Sequence, residues 1–247
     1  MCGRFAFYSP HESVVRIFGV DPDAPPIEAR YNIAPTQYVA AVRGDVVGLR
    51  RIAMLYWGLV PWWARDRSMG ARMINARAET LKEKPAFRDA YRERRCLILA
   101  DGYYEWQKRP DGKQPIYIHR PDGEPFAMAG LWERWRARGE PAPLESCAIV
   151  TTSPAATVAH VHDRMPVILP PSAYTEWLDP ANENTDALDR LVVPFEGELE
   201  ARPVSRRVNN ARNEGAELIE PEIDEAGGRG LGAGGSVLLA ENGKEQK

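Results

Sequence analysis

The stretch Cys96-Leu97-Ile98-Leu99-Ala100-Asp101-Gly102-Tyr103-Tyr104-Glu105-Trp106 begins with apolar residues and ends with aromatic side chains around one acidic residue. A short apolar run of this kind is typical of a buried strand. Similar runs predict strands over residues 38–42, 49–56, 116–119, 126–132, 147–151 and 167–169. Short helices are predicted over residues 10–18, 84–94, 172–178 and 184–191, with Ser172 as an N-cap.

The order of these elements restricts the fold class. The strands do not alternate with long helices, so a doubly wound parallel sheet is not expected. The pattern instead predicts an α+β fold, in which curved antiparallel sheets form a partly open barrel with short helices at its periphery. We expect a single domain over residues 1–221. Residues 222–247 contain the run Gly-Gly-Arg-Gly-Leu-Gly-Ala-Gly-Gly, which predicts a flexible tail because it offers little apolar surface to bury.

Composition indicates an ordinary globular protein. The chain has 247 residues, of which 44% are hydrophobic, enough for a substantial core. It contains no apolar run long enough to cross a bilayer and no secretory signal pattern, so we expect a cytoplasmic protein that associates with the nucleoid when bound to DNA. The three cysteines cannot all pair, and their spacing does not suggest a zinc site. Reduced thiols and no metal are expected.

Charge is distributed unevenly along the chain. The net charge is −3, but residues 214–247 carry −5, which leaves +2 for residues 1–213. Basic residues are concentrated in residues 65–95 and 202–212. Such runs form either a solvated helix face or a groove that binds a phosphate backbone.

Cys2, directly behind Met1, has a special chemical possibility. Removal of Met1 would place an α-amino group, whose pKa is about 7.7–8.0, beside the thiol. Such a 1,2-aminothiol condenses with an aldehyde through the amine and then closes a thiazolidine ring through sulfur. The alternative interpretation is an ordinary terminal cysteine.

Two further segments combine aromatic, polar and basic residues. Residues 57–63, Trp-Gly-Leu-Val-Pro-Trp-Trp, contain three indoles that either pack in the core or form a stacking platform for unpaired bases. Asn75, in Asn75-Ala76-Arg77-Ala78-Glu79-Thr80, either caps a helix or holds a sugar hydroxyl or carbonyl while Arg77 binds a phosphate.

Glu105 and His162 are the candidate acid–base residues. Glu105 lies among aromatic side chains at a strand end, where it is either a general acid–base or a rim glutamate paired with an arginine. His162, in Val161-His162-Asp163-Arg164-Met165-Pro166, is one of four histidines and either acts near neutral pH or is structural.

Together these segments resemble the SOS-response-associated peptidase (SRAP) family, whose members form covalent crosslinks to abasic sites in single-stranded DNA. The resemblance runs in family order from residue 1 to about 213. It rests on Met1-Cys2-Gly3-Arg4, Tyr31-Asn32-Ile33-Ala34-Pro35-Thr36, Trp57-Gly58 with Pro61, Asn75-Ala76-Arg77 with Glu79, Arg95-Cys96-Leu97, Ala100 to Trp106, Gly130-Leu131-Trp132, His162 to Pro166 and Val208-Asn209-Asn210. Leu99 departs from the proline of many relatives.

The resemblance implies a role for each matched residue. Cys2 would be the nucleophile, Asn75 would orient the sugar or the N-terminal amide, Glu105 would transfer protons at the amine, and His162 would serve sugar ring opening and reversal of the link. Phosphates would be bound by Arg4, Arg77 and Arg164, and the strand channel would be lined by Trp62, Trp63 and Thr151. It also implies a monomer that binds single-stranded DNA containing abasic sites without cofactor, metal or membrane.

The family's peptidase activity would be the removal of the chain's own Met1. Strand cleavage by β-elimination from an imine is chemically available, and thiazolidine closure would suppress it. Two alternatives remain open at this point. A glutamine amidotransferase or related N-terminal-nucleophile hydrolase also begins Met-Cys-Gly but requires a four-layer sandwich. A noncatalytic RNA-binding barrel would rest on the basic and aromatic content alone.

Overall fold

A computed structural model describes residues 2–222. Within them, thirteen strands and four α-helices are formed. The strands are β1 (Phe5–Phe7), β2 (Arg30–Ile33), β3 (Tyr38–Gly44), β4 (Arg50–Trp57), β5 (Asn75–Arg77), β6 (Arg95–Ala100), β7 (Gly102–Arg109), β8 (Gly112–His119), β9 (Phe126–Trp135), β10 (Leu144–Thr152), β11 (Met165–Pro166), β12 (Ile168–Leu169) and β13 (Glu200–Pro203). The helices are α1 (His11–Phe18), α2 (Arg88–Glu93), α3 (Tyr174–Leu178) and α4 (Thr185–Asp189).

Five strands of the larger sheet close into a ring. Neighbouring strands pair in the order β10-β4-β3-β6-β9, and β9 pairs back with β10. The β4–β10 closure is parallel and involves only Ser146 with Tyr56 and Cys147 with Trp57. Beyond that point β10 pairs in parallel with β5 instead. The narrow closure makes room for β5, which carries a candidate site residue.

The second sheet has the order β13-β8-β7-β1-β2, and its pairings are antiparallel. Its inner face packs on the barrel, since Phe5 of β1 contacts Trp57 of β4 edge to face with ring centroids 5.2 Å apart. Cys2, Phe5, Trp57 and Tyr103 are all buried in one core cluster. Cys2 therefore lies between the two sheets.

The helices cover the outside of the sheets. Helix α1 buries Val14 and Phe18, which are four residues apart and so lie on one face. It ends at Gly19, whose φ of 64° is the left-handed conformation that glycine adopts without strain. The other helices are one or two turns long, and packing stabilises them more than propensity does.

The predicted α+β class with a barrel and peripheral helices is confirmed. The seven predicted strands appear as β3, β4, β6, β8, β9, β10 and β12, and the four predicted helices as α1 to α4. The N-cap prediction for Ser172 is wrong, because this residue lies inside a 3₁₀ turn, Pro171–Ala173, that has no side-chain cap. The predicted tail, apart from Glu222, lies outside the described residues.

Candidate active site

Cys2 lies three residues before β1 and is fully buried. The Asn75 side-chain amide donates a hydrogen bond of 2.8 Å to the Cys2 carbonyl oxygen. Burial raises the pKa of the Cys2 thiol well above its usual value, and the nearby Glu105 carboxylate raises it further. The thiol is therefore neutral at physiological pH and needs a base to become nucleophilic.

Asn75 reaches Cys2 because β5 pairs with β10, a strand of the barrel. Asn75 pairs with Ile149 in the parallel β5–β10 ladder. The preceding Ile74 carbonyl accepts a hydrogen bond of 2.9 Å from the Trp57 indole, which ties the segment to the core. The alternative in which Asn75 caps a helix is wrong, since the residue is in a strand and its amide is bonded to the chain start.

Glu105 lies beside the first residues of the chain. In the β1–β7 ladder Phe5 pairs with Tyr103, and the Tyr104 amide donates to the Arg4 carbonyl at 2.9 Å. Continuing this antiparallel register toward the amino terminus leads to Glu105, whose side chain is only 3% exposed. Burial raises the pKa of Glu105 to about 7, against the opposing charge of the chain's amino terminus. The alternative of a rim glutamate paired with an arginine is wrong.

His162 faces Glu105 from the segment between β10 and β11. Its Nε2 lies 3.8 Å from the Glu105 carboxylate. Its Nδ1 accepts a hydrogen bond of 3.0 Å from the Arg164 amide and also lies 2.9 Å from the Asp163 carboxylate. Burial lowers the pKa of His162, so the neutral ring is favoured at neutral pH. The imidazole ring thus lies beside a carboxyl group whose pKa is about 7.

Arg164 and Thr151 form one unit at the edge of this site. The Arg164 guanidinium donates to both Glu79 carboxylate oxygens, at 2.5 and 2.9 Å, and to the Thr151 carbonyl at 2.6 Å. Thr151 is buried and pairs with the exposed Arg77 across β10 and β5. Arg77 and Arg164 therefore flank the same strand pair. Thr151 contributes by fixing Arg164, and its predicted role as channel lining remains a prediction.

Arg4 points away from Cys2. Its guanidinium donates to the Asn32 side-chain oxygen at 2.6 Å and to the Val208 carbonyl at 2.7 Å, and it lies 5.9 Å from the Trp106 ring centroid. These contacts tie β1 to the C-terminal part of the domain. Phosphate binding by Arg4 remains a prediction, and it would require a guanidinium that already has protein acceptors.

Of the three indoles in residues 57–63, one packs in the core and two are exposed. Trp57 is buried in the core, whereas Trp62 is 61% and Trp63 is 43% exposed. The change from a buried indole to exposed ones occurs at Pro61. The Pro61 carbonyl accepts a hydrogen bond of 2.9 Å from the Ala64 amide, which forms a tight turn. Packing is confirmed for Trp57, and the base-stacking prediction still applies to Trp62 and Trp63.

The basic run of residues 65–95 does not form one surface. Arg95 is buried and donates to several backbone carbonyls, among them Trp177 at 2.7 Å. Lys82 pairs with Asp186 and Asp189, while Arg92 and Arg94 pair with Glu93. These four basic residues are thus engaged within the domain, whereas Arg77 lies at the candidate site.

Sequence reasoning missed two groups that the fold brings to the site. Glu79 neutralises Arg164, and the Tyr103 side chain lies on the same face of β7 as Glu105. The signal for Tyr103 was the two-residue spacing to Glu105, which indicates a shared face once residues 102–109 are assigned as a strand. No local pattern indicates the contact between Glu79 and Arg164, which are 85 residues apart.

Comparison with known proteins places the chain in a family. A family model described as SOS response associated peptidase (SRAP) matches residues 1–211. The chain belongs to the SRAP family. The strands of residues 2–222 accordingly form a barrel and a packed sheet rather than the four-layer sandwich of the amidotransferase alternative.

Individual relatives span almost the whole SRAP chain. The Bacillus subtilis protein named abasic site processing protein YoaM is 43% identical over 227 residues, covering 90% of this chain and 99% of the relative. The Escherichia coli protein named abasic site processing protein YedK is 34% identical over 230 residues, covering 90% and 100%. A crystal structure of a Bacteroides thetaiotaomicron protein shares the fold with a TM-score of 0.79 at 23% identity, covering 90% of this chain and 100% of that one.

Two features are absent from residues 2–222. No helix in this part of the chain is both long and apolar enough to cross a membrane. Nor do three His, Cys, Asp or Glu side chains in these residues cluster as ligands for a metal ion.

Proposed function

We propose that this protein processes abasic sites in single-stranded DNA by forming a covalent thiazolidine crosslink through Cys2, after removal of Met1. The observation that carries the proposal is the convergence of Asn75, Glu105 and His162 on Cys2 in one buried site. Relatives that align over nearly their full length are named abasic site processing proteins, which supports the processing of abasic sites.

The chemistry uses both groups of the mature residue 2. The open form of an abasic deoxyribose carries an aldehyde at C1′, which the α-amine attacks to give a carbinolamine. Loss of one water gives an imine, and the Cys2 sulfur then adds to C1′ to close a five-membered ring. One C–N bond and one C–S bond form, and the aldehyde oxygen leaves as water.

Glu105 moves the protons of this sequence. A carboxyl group with a pKa of about 7 exists in both forms near neutral pH, so it can accept a proton from the amine and return it to the departing oxygen. His162, whose ring lies beside Glu105, assists opening of the sugar ring and the reverse reaction. Asn75 holds the Cys2 carbonyl so that amine and thiol face the same aldehyde.

Removal of Met1 is the peptidase step of the proposal and occurs once per chain, as an autocatalytic maturation. An imine at C1′ also acidifies C2′, so β-elimination and strand cleavage form a side reaction. Ring closure by sulfur removes the imine and thereby protects the strand.

Single-stranded DNA is the proposed partner, bound by the monomer in the cytoplasm without a cofactor. Arg77 and Arg164 would bind phosphates that flank the lesion, with Arg4 as a further candidate. Exposed Trp62 and Trp63 would stack on unpaired bases, and Thr151 would line the strand channel.

The direct test mixes the purified protein with an abasic single-stranded oligonucleotide and denatures the product. We expect a gel-stable adduct that is absent with an undamaged oligonucleotide and absent for Cys2→Ala, which should still bind the strand. A wild-type protein that binds the abasic strand but forms no adduct would contradict the proposal.

A further inference from the structure

Tyr103 buries a hydroxyl group that has no hydrogen-bond partner among residues 2–222. The side chain is fully buried. An unsatisfied buried hydroxyl destabilises a fold by an amount comparable to a lost hydrogen bond. Phenylalanine would fill the same space without that cost, so the hydroxyl calls for an explanation.

The neighbouring Tyr104 provides the contrast. Its side chain lies on the opposite face of β7, and its hydroxyl donates a hydrogen bond of 2.6 Å to the Tyr31 carbonyl. One tyrosine of the pair is thus satisfied by the protein. The other directs its hydroxyl into the space between the two sheets.

That space is the candidate active site. Tyr103 pairs with Phe5 across β1 and β7, and Glu105 follows two residues later on the same face. Tyr103 and Cys2 belong to the same buried cluster. Burial, with added contributions from the Cys2 and Glu105 charges, raises the pKa of Tyr103 well above its usual value. The hydroxyl therefore stays protonated and can act as a hydrogen-bond donor.

We propose that the Tyr103 hydroxyl donates a hydrogen bond to the Cys2 sulfur while the thiazolidine ring closes. The inference rests on the proposed function and concerns its second step, the closure of the ring by sulfur. The Sγ–H bond breaks, with its proton passing to the Glu105 carboxylate, and the sulfur lone pair forms the S–C1′ bond. The C1′–N double bond becomes single, and its nitrogen receives the proton from Glu105. The hydroxyl stabilises the negative charge that develops on sulfur before the new bond is complete.

The hydrogen bond acts only on ring closure, so its loss has a specific signature. Imine formation uses the amine and should proceed at the wild-type rate in Tyr103→Phe. Conversion of imine to thiazolidine should slow by about tenfold or more, the factor expected for a hydrogen bond to a charged group. The imine would then persist and give more strand cleavage by β-elimination.

The experiment follows wild type, Tyr103→Phe and the control Tyr104→Phe on an abasic oligonucleotide, with borohydride quenching at timed intervals. Borohydride reduces the imine and leaves its Cys2 thiol available. Maleimide labelling after denaturation should then add three labels to the reduced imine and two to the thiazolidine, since the chain contains Cys2, Cys96 and Cys147. Mass spectrometry counts the labels.

We expect the three-label adduct and the cleaved strand to accumulate in Tyr103→Phe alone. Its thermal midpoint should equal or exceed that of wild type, whereas Tyr104→Phe should be less stable because it leaves the Tyr31 carbonyl without its donor. If wild type crosslinks and Tyr103→Phe shows the same ratio of reduced imine to thiazolidine as wild type, the Tyr103 inference alone is overturned. A wild type that forms neither adduct would overturn the proposed function and this inference together.

Discussion

Glu105 brings an ionisable carboxyl group into a site from which most water is excluded. Burial raises its pKa to about 7, while the positive charge of the amino terminus works in the opposite direction. The same carboxylate opposes ionisation of the Cys2 thiol. Near pH 7 the thiol is thus protonated and the carboxyl group is partly ionised. The proposed proton transfers begin from these states.

Replacing Glu105 by glutamine should remove the proton acceptor and keep the shape of the site. We expect crosslinking to slow by about 10²–10⁴-fold with nearly unchanged affinity for single-stranded DNA. The wild-type rate should rise as pH increases through about 7, where the carboxyl group ionises. Timed adduct formation between pH 5 and 9 measures both effects.

Glu145→Gln is the matched control for that experiment, because Glu145 pairs with Arg43 and Arg134 at the other end of β10. Its crosslinking rate should follow the wild-type pH profile. Wild-type crosslinking by Glu105→Gln across this range would assign Glu105 a structural role.

Glu105 should also make stability depend on pH. Its folded pKa, about 7, exceeds the ordinary value of 4.5, so the folded state binds more protons between these values. The contribution of this group to stability is complete below pH 4.5 and is lost as pH rises toward 7. Relative to wild type, Glu105→Gln should gain on the order of 3 kcal/mol between pH 4 and pH 8. Urea unfolding at both pH values tests this, and a pH-independent difference would contradict it.

Single residues differed in how far the sequence could predict them. Cys2 and Glu105 could be found because their chemistry depends on position and on the types of their neighbours. The environment of Arg4 could not, since its acceptors are Asn32, 28 residues away, and Val208, 204 residues away. Contacts over such separations follow from topology, which local patterns do not contain.

At the scale of elements, the three-residue strand β5 positions the site. Its parallel pairing with β10 places Asn75 against Cys2 and Arg77 opposite Thr151. The proposed acid–base residues come from other elements. Glu105 lies in β7, and His162 lies in the segment before β11. The geometry of the site therefore depends on the pairing of β5 with the barrel.

Asn75→Ala should slow crosslinking strongly and change the affinity for single-stranded DNA little. The variant loses the 2.8 Å hydrogen bond that fixes the Cys2 carbonyl, so the amine and thiol no longer share one orientation. Asn75→Asp keeps the side-chain volume but replaces the amide donor by an acceptor, and it should be equally slow. An aspartate variant that crosslinks at the wild-type rate would show that volume matters and the donor does not. Both rates are read from quenched adduct gels.

Arg164→Ala should flatten the salt dependence of binding to single-stranded DNA. Each phosphate contact contributes a slope of about −0.7 in a plot of log affinity against log salt concentration. The control is Arg16→Ala, because Arg16 also forms a two-contact pair with a carboxylate, Glu124, at 3.0 and 2.8 Å. Fluorescence anisotropy across a salt series gives the slopes. Equal slopes for wild type and Arg164→Ala would assign Arg164 to structure through Glu79 and Thr151.

Elements with continuous apolar runs could be predicted, and mixed ones could not. Strand β6 is buried at every position and its sequence shows it, whereas β7 runs from buried Gly102 to exposed Arg109 through aromatic, acidic and basic residues. Strand β5 has only three residues and exists because β10 offers it a partner. The parallel pairings arise from barrel closure, a long-range property that local sequence does not specify.

At the scale of the whole molecule, the two sheets enclose the beginning of the chain. Cys2 lies under the packed faces of the barrel and the second sheet, while Trp62, Trp63 and Arg77 remain accessible. The reactive residue is buried, and the candidate binding residues are at the surface. This arrangement suits a strand that is bound along the surface and turns one sugar inward to react. The fold class could be predicted because the number and spacing of apolar runs limited the possible architectures.

The central claim is that mature residue 2 reacts through both its amine and its sulfur. Intact-mass spectrometry of the protein, alone and after incubation with an abasic single-stranded oligonucleotide, tests it most directly. We predict a free protein that lacks Met1 and an adduct equal to protein plus oligonucleotide minus one water, stable without borohydride. Cys2→Ser should give a stable adduct only after borohydride trapping, and the reduced adduct should be two hydrogens heavier than its own protein plus oligonucleotide minus one water. Fully crosslinking protein that retains Met1, or an untrapped Cys2→Ser adduct as stable as wild type, would contradict the account.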